Sequence, residues 1–201
     1  MQILHPFQGS IQQYLAAISD PDRYRPDQCP QCEAKQALVG HGFYRRTLVD
    51  HAFDGVIRVR RYPCRFCKRT VSLLPEFALP WLRFSVAVIS LFLVAHLLQG
   101  LSLAAAALAA RQSAMPYQRG QFWIRRFRKQ APRLGLALAP LAAPVTAPDL
   151  VVRALRMLQS IGWIAAHRFL FSQLRAHLLG WPDFLAPQGR RATLSPAEPS
   201  A

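Results

Sequence analysis

Acid is scarce in this chain: 10 Asp and Glu stand against 25 Lys and Arg in 201 residues. After Glu76 the next carboxylate is Asp149, and beyond that only Asp183 and Glu198 follow. Two-metal nucleic-acid chemistry needs several carboxylates converging on one site, and glycoside hydrolysis needs a flanking pair, so both are excluded. Lysine is rarer still, limited to Lys35, Lys68 and Lys129, so the excess positive charge is almost all arginine. Arginine's planar fork suits phosphate and guanine edges, although a GC-rich coding sequence would also favour it. Cysteine is limited to 4 residues in two close pairs, which in an intracellular protein points to metal rather than disulfides. Met1 to Ser10 is mixed and contains Pro6, so no export leader is read there and a cytoplasmic location is expected.

What the chain does have is apolar material, 52% of residues, enough for a core and too much for a disordered segment. The net charge of +15 and a pI near 11.1 make a polyanion the expected partner, nucleic acid before an anionic membrane surface.

Residues 1–28 read as an N-terminal arm with one short helix near Ser10 to Ile18. Residues 29–80 read as a β module, with alternation over Val56 to Arg61 and a turn signal at Asp54-Gly55. Residues 81–131 change to helical spacing: an apolar stretch from Phe84 to Leu98, an Ala-rich one from Ser102 to Ala110, and a third from Ser113 or Pro116 to Lys129. Three helices in succession are the minimal helix-turn-helix layout. Residues 132–149 carry repeated prolines and read as a linker, 150–181 as a C-terminal helical segment broken near Gly162, and 182–201 as a flexible tail.

Cys29-Pro-Gln-Cys32 and Cys64-Arg-Phe-Cys67 supply two pairs of sulfurs. Four thiolates complete a tetrahedral zinc shell with no open position, so one structural Zn²⁺ is expected and not a catalytic one. A module of ~45 residues is too small to hold itself together unaided, which gives the metal a reason. Two disulfides fit the context less well, and redox pairs would need a strand-helix unit. His41 and His51 lie in the same module and could replace a cysteine.

Arg45, Arg46, Arg58, Arg60, Arg61, Arg65, Lys68 and Arg69 cluster around these cysteines, with no carboxylate between Gly55 and Pro75, and are expected to bind phosphate. In the third helix, Tyr117, Gly120, Ile124 and Phe127 form the expected core stripe. Gln118, Arg119, Gln121, Arg125, Arg126, Arg128 and Lys129 fall on the other faces, a composition that suits a DNA major groove. Trp163 and Trp181 read as packing residues, and residues 150–181 could mediate self-association. A rival reading takes the uncharged stretch between Arg83 and Arg111 as a membrane span within 84–110, against which stand Ser90, His96, Gln99 and Gly100 near its centre. A third takes the ribbon as a protein-docking module.

At Cys29-Pro-Gln-Cys32, His41-Gly-Phe-Tyr-Arg-Arg46, Ile57-Arg-Val-Arg-Arg-Tyr-Pro-Cys64, Cys67-Lys-Arg-Thr-Val-Ser-Leu-Leu-Pro75 and Leu79-Pro-Trp81, the sequence resembles the N-terminal zinc-ribbon proteins associated with bacterial insertion sequences. The resemblance covers about residues 25–130 and implies a four-cysteine ribbon ahead of a helix-turn-helix, with DNA binding at the ends of a mobile element or regulation of one. The chain departs from a complete transposase in lacking an acidic catalytic domain, in agreement with its carboxylate count. The expected fold is therefore small α+β: a β-rich four-cysteine zinc ribbon, a helical helix-turn-helix module and a further C-terminal helix. The expected function is DNA binding by a transposon-associated accessory or regulatory factor, not an enzyme, with double-stranded DNA as partner and no small-molecule substrate.

Overall fold

The computed structural model describes residues 1–18, 20, 22–143 and 145–180. Alternating apolar residues build its sheet. Strands β2 (Phe43–Asp50) and β3 (Phe53–Pro63) pair antiparallel from Phe43↔Arg60 to Asp50↔Phe53, and Leu48, Ile57 and Val59 are buried. Strand β4 (Thr70–Pro75) lies antiparallel to β3, and β1 (Gln2–His5) adds parallel to β4, giving the order β1-β4-β3-β2.

Two features of this half differ from the sequence expectation. Residues 1–28 are more than an arm. They supply β1 and helix α1 (Ile11–Ala17), which Ser10 and Gln13 start with a capping box. Ile11, Tyr14 and Ile18 pack with Leu48, Ile57, Val59 and Leu74, and the Tyr14 hydroxyl donates to the Arg58 carbonyl at 2.8 Å. The hairpin turn also moves: it falls at His51-Ala52, while Asp54 and Gly55 lie inside β3 opposite Val49 and Leu48. Tertiary contacts outrank the local turn preference here. The Asp54 carboxylate is taken by Arg83 at 3.0 and 3.2 Å, and Gly55 leaves room for the Phe53 ring, which would meet an added Cβ at 3.0 Å.

The remaining helices form a second layer. Helix α2 (Val86–Leu97) is capped by Ser85, and α3 (Leu103–Ala109) by Ser102. Between them Gly100 takes φ +71, a left-handed conformation that suits glycine. Helix α2 is buried on most sides because α3, α4, α5, α6 and β2 surround it. That burial accounts for the absence of charge along α2, though farther along the same stretch Leu101 and Leu108 are exposed. At 12 residues α2 is ~18 Å long against a hydrocarbon core of ~30 Å. No helix among the described residues is long and apolar enough to cross a membrane.

Helix α4 (Tyr117–Ala137) starts after Pro116 with no side-chain cap, so Ser113 does not serve there. Its core stripe is Gly120, Trp123, Ile124, Phe127, Ala131 and Leu134; Tyr117 is exposed instead. The helix runs on through Pro132 into the stretch read as linker, because Leu134 and Leu138 continue the buried stripe. Helices α5 (Leu150–Ile161, capped by Asp149) and α6 (Trp163–Leu174) follow, divided at Gly162 with φ +89. The apolar side of α5 packs on α4, so Ala154, Leu155, Met157 and Leu158 are consumed within the chain. Three helices thus follow the sheet as expected. Succession alone does not make a helix-turn-helix, and nothing in the packing identifies one. Trp181 and residues 182–201 lie outside the described residues.

Candidate functional site

Both cysteine pairs sit on turns of the same construction. In the first, Glu33 N–H donates to the Cys29 carbonyl at 2.8 Å and Cys29 N–H to Ala34 at 3.0 Å. In the second, Lys68 N–H donates to Cys64 at 3.1 Å and Cys64 N–H to Arg69 at 2.9 Å. The residue after the second cysteine is left-handed in each, Glu33 at φ 60 and Lys68 at φ 58. Such repetition turns both pairs of sulfurs toward one point. The turns are joined by a bridge between Leu38 and Cys64 and by Arg65 N–H donating to Ala37 at 2.9 Å.

All four Sγ atoms lie within 4.8 Å of one another, with Cys29–Cys67 at 3.8 Å and Cys32–Cys64 at 3.6 Å. Sulfurs at ~2.3 Å from a tetrahedral ion stand ~3.8 Å apart, so the quartet fits one metal. These separations are far beyond the ~2.05 Å of a disulfide. Burial pushes the Cys64 thiol up, but hydrogen bonds from the Cys67 and Phe66 amides, joined by the Cys32 and Cys67 thiols, outweigh it and bring it to about 7. At Cys67 the Arg69 amide favours the thiolate, yet burial and the neighbouring thiols push it up to about 11. Four close thiols cannot all ionise side by side without a cation to share. His41 and His51 are not in the cluster; His51 pairs with Asp50 at 2.8 Å.

The basic positions divide into surface and interior. Arg45 and Arg58 are exposed and stand opposite each other across β2 and β3. Arg65, Lys68 and Arg69 are exposed around the second cysteine turn. Arg46 points inward: its guanidinium donates to the Leu79 and Leu82 carbonyls, and burial lowers its pKa. Arg60 is buried, lying over Phe43 at 4.7 Å and Tyr62 at 5.4 Å, while Arg58 covers Phe43 at 4.1 Å. Arg61 is half-buried.

On α4, Gln118, Arg119, Arg125, Arg128 and Lys129 are exposed and Gln121 is half-buried. Arg126 lies over Phe122 at 5.9 Å and donates to the Gly180 carbonyl at 3.3 Å, tying α4 to the end of the α6 segment. The sequence does hold a signal for Arg46, since Tyr44, Arg46 and Leu48 share a side of β2 and Leu48 is core. It holds none for Arg60, which tertiary aromatic packing draws in.

Residues 29–115 match a domain of unknown function (DUF6431). The match begins at the first cysteine and takes in β2, β3, β4, α2 and α3, leaving α4, α5 and α6 outside. Nothing in it ties the chain to transposon-associated proteins. No curated protein and no solved structure matches the chain.

Proposed function

We propose that this chain binds duplex DNA, with one zinc ion in the cysteine quartet acting as a structural clamp and α4 supplying the main contact. The observation that carries this reading is the solvent side of α4. Gln118, Arg119, Arg125, Arg128 and Lys129 project there, and the four ion pairs formed among the described residues use none of them. Charge left unpaired at this density favours a polyanion. Arg45, Arg58, Arg65, Lys68 and Arg69 add phosphate contacts from the ribbon. Zinc would be held by Cys29, Cys32, Cys64 and Cys67 and would supply fixed geometry, since four thiolates leave no position for a reacting group. The activity proposed is binding, not catalysis. The insertion-sequence resemblance supports an accessory role at mobile-element ends.

The test is duplex binding by the metal-loaded chain over a salt series. Affinity is expected to fall with salt, and Arg125→Ala to cost ~1–3 kcal/mol if it reads a base, or to lower the salt slope by ~1 if it meets phosphate. Binding that is absent, or unchanged in an Arg125→Ala/Arg128→Ala double variant, would overturn the reading.

A further inference from the structure

Between β4 and α2 the chain makes a loop, Leu79 to Leu82, fixed from two sides. Arg46 from β2 takes the carbonyls of Leu79 and Leu82. His177, beyond α6, takes the carbonyl of Pro80 at 3.2 Å. Its tautomer follows from its other nitrogen: Leu179 N–H donates to Nδ1 at 3.1 Å, so Nε2 carries the hydrogen and donates to Pro80.

Inside this clamp Trp81 adopts φ +65, a conformation that bulky side chains rarely take. Its side chain gains little core contact in return, for Trp81 is 58% exposed. A strained backbone that presents the largest apolar side chain to water is a cost the fold itself does not recover.

Beside the ring lies a cleft of about 170 Å³ lined by Pro80, Trp81, Leu82, Arg119, Phe122 and Arg126. On the other side a second depression of about 270 Å³ runs toward Tyr44 and Arg83. Among the described residues no carboxylate lines either one. The first is smaller than the ~300 Å³ that encloses a drug-sized ligand, so it takes one flat ring and leaves the rest of the ligand outside. Among the described residues two aromatic side chains, Trp81 and Phe122, line it with Arg119 beside them, which suits a ring attached to a phosphate. Trp81 also neighbours Arg119, which the proposed DNA contact already uses.

We propose that Trp81 and this cleft hold an unstacked nucleobase, so that the protein prefers duplex DNA carrying an unpaired nucleotide over fully paired duplex. The inference rests on the DNA-binding reading and adds the class of site it recognises. Base–aromatic stacking tolerates sequence because every base has a π-face. The preference is therefore one of structure more than of base identity.

The experiment compares the full metal-loaded chain on a paired duplex and on the same duplex with one bulged 2-aminopurine. The bulged duplex is expected to bind about tenfold more tightly, with 2-aminopurine fluorescence quenched on binding. Trp81→Leu should abolish that preference and the quenching while leaving paired-duplex affinity, salt slope and melting temperature unchanged. Trp81→Phe should restore most of both. Equal affinity for the two duplexes in the wild-type chain overturns this inference but leaves the DNA-binding reading standing. A Trp81→Leu variant that keeps the preference, or loses affinity equally on both duplexes, overturns it as well. If the wild-type chain binds neither duplex, the DNA-binding reading itself fails and this one with it.

Discussion

At the scale of single residues, arginine in this chain has two occupations that sequence composition does not separate. Arg45 and Arg58 face solvent, whereas Arg46 on the same hairpin holds two carbonyls of the Leu79 to Leu82 loop. Arg46→Met keeps the stem and removes the donors, leaving both carbonyls without that partner. We expect a loss of ~1–3 kcal/mol in urea unfolding.

A second residue-scale prediction concerns two buried histidines. Burial, reinforced by the neighbouring His177, lowers the His167 pKa from 6.5 to about 3. Burial likewise lowers His177 to about 4, with Arg126 adding to the effect and the bond to Pro80 opposing it. Both imidazoles are then neutral in the folded protein where the unfolded chain already takes up protons. Their stabilising contribution is complete above pH ~6.5 and is lost as pH falls toward 4 and then 3. Between pH 7 and pH 5 the fall amounts to about 2 kcal/mol per histidine. His167→Leu should remove roughly half of that pH dependence, measured as urea midpoints at the two pH values. A His167→Leu protein with the wild-type pH slope would exclude this origin.

At the scale of elements, the contact between α2 and α4 turns on Gly120. A Cβ there would stand 2.6 Å from Cζ of Phe92, whose ring is fully buried. Alanine is the better helix former by ~1 kcal/mol, yet overpacking at a closed contact costs ~1–3 kcal/mol. Gly120→Ala is therefore expected to lower the melting temperature, which a calorimetric scan would check. The core position of Gly120, Ile124 and Phe127 was legible from helical spacing, as were the approximate starts of α1 at Ser10, α2 at Phe84 and α3 at Ser102. Strand β1 was not, because four residues carry little alternation and its partner β4 is remote in sequence. Nor was the turn, since Asp54-Gly55 speaks only for its own backbone and is overruled by Arg83 and Phe53. The length of α4 was hidden by Pro132, a residue that stops most helices but stands on the exposed side of this one.

At the scale of the whole molecule, the cysteine quartet was the feature most legible in advance, since paired short spacings need no knowledge of the fold between them. What spacing could not supply is the setting: Cys29 and Cys64 are core residues, packed with Ala37, Leu38, Tyr62, Val71 and Leu73. Purified protein is expected to hold one zinc per chain. Replacing that ion with Co²⁺ should give the visible absorption of a tetrahedral thiolate site, and Cys32→Ser should lose both the stoichiometry and the spectrum.

The parallel pairing of β1 with β4 brings one more consequence. All four cysteines of the quartet lie on the stretch of chain between these two strands, so their pairing closes a loop around the whole cysteine-bearing segment. Ile3 of β1, opposite Leu73, packs directly against the cysteine core. If the quartet takes the proposed zinc, docking of β1 and capture of the ion cooperate, each reducing the freedom the other must overcome. Thermodynamic reciprocity makes a strand with no ligand of its own a determinant of metal affinity. Ile3→Ala should release zinc to a competing chelator more readily than the wild-type chain does, by at most the factor by which removing zinc loosens β1.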